Sequence, residues 1–494
     1  MSDVFLKVSN IKKYFGGVKA LDGVTLEIKK GEIHCLAGEN GCGKSTIINV
    51  ISGFYTPDAG EICIEGETFS RMTPKESIAK GIQVIYQDLS LFPNLTVMEN
   101  LALNMEVAGG KKFVNKKRMR KIAQEAVSKI GFDIDLDETI ENLPVGTRQM
   151  IAISRALLND AKLIIMDEPT TAITKKEVKG LFKVIKKLQA QGIAVLFVSH
   201  KLDEVFEIAE RYTVFRSGKN VAKGETADLT HEKFTYYMTG RDLSTEVFKY
   251  DEKDQETVLE VKDLNIKNGF ANIDFSLKKG EILGITGLMG SGRTELAETI
   301  FGYHKPDSGK VIIEGKEVKI NCIKDAIREG IGYVPSDRVR EGLFVPQSIA
   351  ENITTERWGD LANGIGVLNE KNLFDMANDW VEKLSIATKN ILNPIATLSG
   401  GNQQKCVLAK WLALDLKVLI LNGPTVGVDI GAKFDIYKLV QQLAHEGLAV
   451  IIISDDLPEV LSNCNRVMVM KAGRIAENIP TEGLDDSTLA EMAM

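Results

Sequence analysis

The stretch Gly38 to Thr46, GENGCGKST, fits the pattern G-x-x-x-x-G-K-[ST]. It lies between EIHCLA, which reads as a buried strand, and TIINVISG, which reads as the start of an apolar-faced helix. A strand that enters a helix through a glycine-rich turn can aim successive backbone N–H groups inward, where they cradle phosphate oxygens. Within it, Lys44 is expected to reach the terminal phosphates and Ser45 to offer its hydroxyl to Mg²⁺. Strand, loop and helix together make an α/β fold the expectation.

The same plan recurs in the second half. GLMGSGRT, Gly287 to Thr294, is an altered copy of the loop in which the lysine has become Arg293. KKGEILGITGLMGSGRTEL parallels KKGEIHCLAGENGCGKSTI, GIGYVPSDR parallels GIQVIYQDL, and KVLILNGPTVGVD parallels KLIIMDEPTTAIT. Length alone, 494 residues, suggests about three domains. The duplication reduces this to two, and so long a period means a duplicated domain and not a solenoid. The expected division is residues 1–241, a charged linker at 242–257 containing STEVFKYDEKDQET, and residues 258–494.

Other stretches of the first half are chemically specific. LKVSNIKKYF and the residues after it alternate in a way that suggests an antiparallel sheet. Phe15, ahead of a Gly-Gly turn, is a candidate floor for an adenine ring, with Tyr14 the weaker choice. Gln87 ends a strand and opens a polar loop, a place from which an amide can hold both Mg²⁺ and an attacking water. Residues from about 88 to 160 read as mainly helical, and the basic run KKFVNKKRMRK among them reads as a solvated helix face. KLIIMDEPT ends an apolar strand in Asp167 and Glu168: the first carboxylate can support Mg²⁺, and the second can polarise a water aimed at phosphorus. IAVLFVSH brings His200 to another strand end, where imidazole can hydrogen-bond a phosphate.

Composition narrows the classes. The chain is 44% hydrophobic and 26% charged with a net charge of -7, which argues against the broad basic surface of a nucleic-acid binder. Six scattered cysteines with no CxxC pair suit reduced thiols in the cytosol; Cys42, inside the loop, reads as a small residue at a variable position before it reads as an oxidation switch. MSDVFLKVSN has no apolar signal core, and no apolar run approaches the ~20 residues that span a bilayer. A membrane role is expected to come through a partner.

GENGCGKST, YQD, LSGGNQQK, MDEPT, VSH and GLMGSGRTEL together resemble the ATP-binding-cassette ATPases over almost the whole chain. The likeness is strongest to the fused double-cassette subunits of bacterial monosaccharide importers of the ribose, galactose and xylose type. It implies tandem phosphate-loop NTPase domains, each with a RecA-like α/β core, an antiparallel β subdomain and a helical subdomain. ATP and Mg²⁺ are the implied cofactors. The implied partners are integral membrane permease subunits and, through them, a solute-binding protein, with no nucleic acid; one copy or two per permease dimer stays open. The implied location is peripheral, on the cytoplasmic face of the inner membrane.

In such proteins each nucleotide lies between the phosphate loop of one cassette and the signature of the other. Carried over, site one combines Phe15, Gly38, Glu39, Asn40, Gly41, Cys42, Gly43, Lys44, Ser45, Thr46, Gln87, Asp167, Glu168 and His200 with Ser399, Gly400, Gly401 and Asn402. Lys44, Gln87, Glu168 and His200 are its implied catalytic groups, and Ser45, Gln87 and Asp167 its implied Mg²⁺ set.

Site two combines Arg293, Ser336, Asn422, Gly423 and Asp455 with LPVGT of the first half, where Pro144 replaces the signature serine and has no N–H to donate. Arginine is no substitute for lysine in a tight loop, and Gly423 has no carboxylate, so this site is expected to hydrolyse very slowly. A nucleoside importer of the same architecture, a double-cassette factor acting on ribosomes or DNA, and a nucleotide sensor without turnover are the alternative readings.

Overall fold

The computed structural model describes residues 3–108, 114–131, 133–171, 173–242, 248, 256–267 and 269–493. The chain forms two compact units, Met1–Leu243 and Ser244–Met494. Most of the linker expected at 242–257 lies outside the described residues, as do Lys111 to Phe113 of the basic run.

In the first unit, β1 (Val4–Phe15) and β2 (Val18–Lys29) form an antiparallel pair, followed by β3 (Ile33–Ala37), β4 (Ala59–Ile64), β5 (Glu67–Phe69) and β6 (Ile82–Ile85). Then come β7 (Leu163–Asp167), β8 (Ala194–Val198), β9 (Arg211–Arg216) and β10 (Lys219–Glu225). A four-stranded sheet has the order β2-β1-β4-β5, and a six-stranded sheet has the order β10-β9-β3-β8-β7-β6. In the larger sheet β9, β3, β8, β7 and β6 run parallel, with β10 antiparallel at the edge. Strands β3 and β8 are buried at every residue, the continuous apolar run of a parallel sheet covered on both faces.

Two cores sandwich that sheet. One joins it to the small sheet and to the helix Lys44–Ile51 through Leu6, Leu26, Ile47, Ile51 and Leu196. The other packs Ile153, Phe182, Ile185 and Leu188 against Ile164 and Phe197. The helices Val97–Ala108 and Lys116–Ile130 make a satellite core with Ile151 of the helix Val145–Leu157. Helix Lys116–Ile130 buries Met119, Ala123, Ala126, Val127 and Ile130 and presents its basic residues outward, Arg120 to Asp137 and Arg118 to Glu106.

The second unit repeats the plan: β11 (Thr257–Ile266), β12 (Phe270–Lys278), β13 (Ile282–Thr286), β14 (Ser308–Ile313), β15 (Lys316–Val318), β16 (Ile331–Val334), β17 (Val418–Asn422), β18 (Ala449–Ile453), β19 (Arg466–Lys471) and β20 (Arg474–Pro480). Its sheets have the orders β12-β11-β14-β15 and β16-β17-β18-β13-β19-β20. Each strand occupies the place of its counterpart. Helix Lys44–Ile51 is answered by Arg293–Ile300, and Val145–Leu157 by Gly400–Leu412.

Two described residues of the expected linker, Phe248 and Thr257, belong to the structure of the second unit. Phe248 is buried against the second unit, its ring 4.8 Å from His445 and its N–H donating to Ser462 O at 3.2 Å. The charged residues around Phe248 mask it in any window average. Strand β11 also begins at Thr257, inside the expected linker. Among the described residues no helix is long and apolar enough to cross a membrane.

Candidate active site

Sheet order brings the site together. Because β3, β8, β7 and β6 are consecutive neighbours and parallel, the loops leaving their C-terminal ends lie side by side. These loops carry the glycine-rich turn, His200, Asp167 with Glu168, and Gln87. Ligands of open parallel sheets bind beyond the C-terminal strand ends.

The turn from Gly38 to Gly43 is tight against its own sheet. Gly43 has φ of 108°, and a Cβ there would sit 2.6 Å from Ala20 O, so only glycine lets the helix Lys44–Ile51 start where it does. Lys44 is buried, and its ammonium donates to Gly38 O at 2.6 Å and Glu39 O at 3.1 Å, with Glu168 Oε1 3.9 Å away. The cation is thus held at the mouth of the turn by weak neutral acceptors, which phosphate oxygens can displace.

Ser45 Oγ donates to Asp167 Oδ2 at 3.4 Å. Burial, then the neighbouring Glu168 carboxylate, raise Asp167 above the usual aspartate range. A desolvated carboxylate beside a lone hydroxyl suits a divalent cation that would neutralise it. Among the described residues no three His, Cys, Asp or Glu side chains form a metal cluster. Exposed Gln87 lines an open cleft of about 640 Å³ with Asp167, Tyr86 and Phe54.

Glu168 Oε1 lies 3.2 Å from His200 Nδ1, and Thr171 Oγ1 approaches its other oxygen at 3.5 Å. The His200 contact holds Glu168 below the usual glutamate range, so the residue stands ionised. Ser199, donating to Glu204 Oε2 at 2.8 Å, fixes the turn that presents His200. Phe15 is 40% exposed and meets Tyr55 edge-on at 5.2 Å, leaving ring surface open. Tyr14 is held by its N–H to Asp58 at 2.7 Å. Cys42 is buried, and burial pushes its thiol up, which disfavours the thiolate.

The corresponding groups of the second unit pair differently. Buried Arg293 forms an ion pair through Nη2 with Asp455, while its Nη1 has no hydrogen-bond partner among the described residues. Asn422 donates to Tyr333 Oη at 3.0 Å. Gly423 has φ of 59°, and Ser336 is exposed. Ser399 precedes the helix Gly400–Leu412, and its Oγ accepts from Asn402 Nδ2 at 2.9 Å; Asn402 Oδ1 accepts from Ala387 N–H at 2.8 Å. Pro144 occupies the equivalent place before Val145–Leu157 and makes no side-chain cap.

Thr171, Ser199 and Tyr333 lie within MDEPTT, VSH and GIGYVPSDR, but spacing alone assigns them no partner. Thr171 and Ser199 act through contacts three and five residues away, whereas Tyr333 meets Asn422 from a neighbouring strand. Residues 21–171 and 270–426 each match the family model described as ABC transporter.

The chain belongs to the ABC transporter family.

Both halves are ATP-binding cassettes of that family, and the enzyme class is ATPase. Ribose import ATP-binding protein RbsA of Clostridium perfringens is 43% identical over 492 residues, covering 99% of this chain and 98% of the relative. A putative ribose/galactose/methyl galactoside import ATP-binding protein of Agrobacterium fabrum is 41% identical over 479 residues, covering 97% and 95%. A solved ATP-binding cassette of an ABC transporter in its ADP conformation is 30% identical, covering 48% of this chain and 94% of that one with a TM-score of 0.42.

Proposed function

We propose that the chain is the energy-coupling ATPase subunit of an importer for ribose or a similar monosaccharide, with a single competent hydrolytic centre. The names of its full-length relatives support the substrate class. The single-centre reading rests on one observation: Glu168, within reach of His200 and Lys44, has only Gly423 as its counterpart.

At the competent centre Lys44 exchanges Gly38 O and Glu39 O for the terminal phosphates, and the N–H groups of Gly38 to Thr46 hold the phosphate chain. Ser45 and Gln87 would hold Mg²⁺, with Asp167 behind Ser45, and the bound cation would supply charge neutralisation at the phosphoryl oxygens. Phe15 stacks on the adenine. Glu168, kept ionised by His200, takes the proton of the attacking water, and His200 then steadies the phosphate side. Ser399, Gly400, Gly401 and Asn402 of the second cassette complete the nucleotide's surroundings when the halves close. The proposed partners are permease subunits, at which the chain sits peripherally on the cytoplasmic side.

ATP hydrolysis by the full chain with its permease tests this. Glu168→Gln is expected to lower kcat by about 10²- to 10⁴-fold. Arg293→Ala is expected to stay within a few-fold of wild type. Equal losses in both variants, or retained turnover in the first, would overturn the single-centre reading.

A further inference from the structure

Arg338 begins a single wide helical turn, Arg338–Gly342, just beyond β16. Both ends of that turn are pinned. The Asp337 carboxylate accepts from the N–H groups of Val339 at 3.2 Å and Arg340 at 3.1 Å. At the other end the buried ammonium of Lys410, from helix Gly400–Leu412, donates to Gly342 O at 2.8 Å. Arg338 therefore extends from a fixed base. Wide turns of this kind recur at functional positions.

The guanidinium is shared between two segments. Nη1 donates to Val426 O at 2.8 Å and Nη2 to Gly427 O at 3.3 Å, while Nε donates to Gln403 Oε1 at 3.4 Å. Gln403 in turn donates from Nε2 to Leu398 O at 3.2 Å and from its own N–H to Ser399 O at 2.9 Å. One side chain thus ties the turn after β17 to the segment that carries Ser399, Gly400, Gly401 and Asn402. Thr425 anchors the far side of that turn, its hydroxyl donating to Glu459 Oε2 at 2.8 Å.

The glycines fit this clamp. A Cβ at Gly400 would lie 2.6 Å from Arg338 Nη2, and Gly427, at φ of 67°, leaves 3.4 Å to Nη1. A glycine-rich segment has few side chains with which to hold its own shape, so an external fork is an effective way to fix it. The first cassette is built differently: Leu89 stands where Arg338 does, and Arg148, at the position of Gln403, donates to Leu143 O and Glu141 O, each at 2.8 Å.

We infer that Arg338 is a positioning residue for ATP hydrolysis, holding the Ser399–Asn402 signature and the Val426–Gly427 turn as one preorganised surface. Its guanidinium donates to Gln403, Val426 and Gly427, all in the second cassette. The inference rests on the reading that this signature serves the centre built around Lys44. Its effect falls on turnover and not on nucleotide capture, because the phosphate loop that captures ATP lies in the other cassette.

The test is steady-state hydrolysis by the permease complex of Arg338→Ala, Arg338→Lys and Glu168→Gln, with equilibrium binding of ATP to the chain. Arg338→Ala is expected to lower kcat about 10- to 100-fold while KM and ATP binding move less than about twofold. Arg338→Lys keeps the charge but not the planar fork, and is expected to recover only part of kcat. A kcat within about twofold of wild type for either variant, or a loss divided equally between kcat and KM, overturns the inference. If Arg338→Ala does not fold, the kcat of Arg338→Lys decides alone. Undiminished turnover in Glu168→Gln would mark failure of the single-centre reading instead.

Discussion

Glu168 has φ of 46° and Gly423 has φ of 59°, so both cassettes keep a left-handed residue after the strand that ends in Asp167 or Asn422. For an L side chain this conformation costs about 1 kcal/mol or more; glycine adopts it without strain. The first cassette bears that cost and gains a carboxylate beside Lys44. The second gives up the carboxylate, and the acid that pairs with its loop arginine is Asp455, at the position of His200. There the carboxylate engages Arg293, the cation that a phosphate would otherwise meet. Because the Asp455 side chain is 73% exposed, the pair is worth at most about 1 kcal/mol. Asp455→Asn is therefore expected to tighten nucleotide binding at the second loop by roughly fivefold or less, without raising turnover. Equilibrium dialysis reads the first effect and phosphate release the second. Faster hydrolysis would contradict the account, because Gly423 supplies no base.

Among the elements, the small antiparallel sheet has to be joined to the parallel one, and charge does part of this at the same place in each unit. Glu65, in the turn between β4 and β5, pairs with Lys162 just before β7 at 2.7 Å and with Lys30 just before β3 at 2.8 Å. Glu314 and Lys417 repeat the contact at 2.6 Å. Hydrogen bonds from Lys162 and then Lys30 hold Glu65 down to about 2. A depressed carboxylate stabilises the fold above the ordinary glutamate value, and that stabilisation is lost as pH falls through the depressed one. The group is partly exposed, so the contribution is under about 1 kcal/mol. Glu65→Gln is expected to lower the unfolding midpoint of the first unit slightly at neutral pH, with the difference closing towards pH ~2. Thermal melts of both proteins across that range check it; a gap that widens in acid would refute the assignment.

For the molecule as a whole, duplication yielded two units of one topology, joined by a segment with at least one fixed point. Phe248 is 7% exposed in the core of the second unit, and truncating a buried phenylalanine costs about 3 kcal/mol or more. Phe248→Ala is expected to lower the melting of the second unit while leaving that of the first unchanged, as followed by calorimetry. Losses shared by both units would mean that the residue does not belong to the second core alone.

Much of this was legible from the linear chain. Glycines at Gly38, Gly41 and Gly43, the lysine after them, apolar strands ending in Asp167 and before His200, and the repeat of this plan from Val258 onward all depend on local backbone chemistry. Local chemistry is written in spacing, so the fold class, the two halves and the glycine at 423 in place of a carboxylate can be read without coordinates. Which side chains meet is a different matter. The pairing of Arg293 with Asp455, the reach of Arg338 to Val426 and Gly427, and the seat of Phe248 beside His445 were decided by tertiary structure. The order β3-β8-β7-β6 departs from chain order, and hydrogen-bonded ladders and a shared core select it. Contacts across those ladders join residues far apart in sequence, where no periodicity extends.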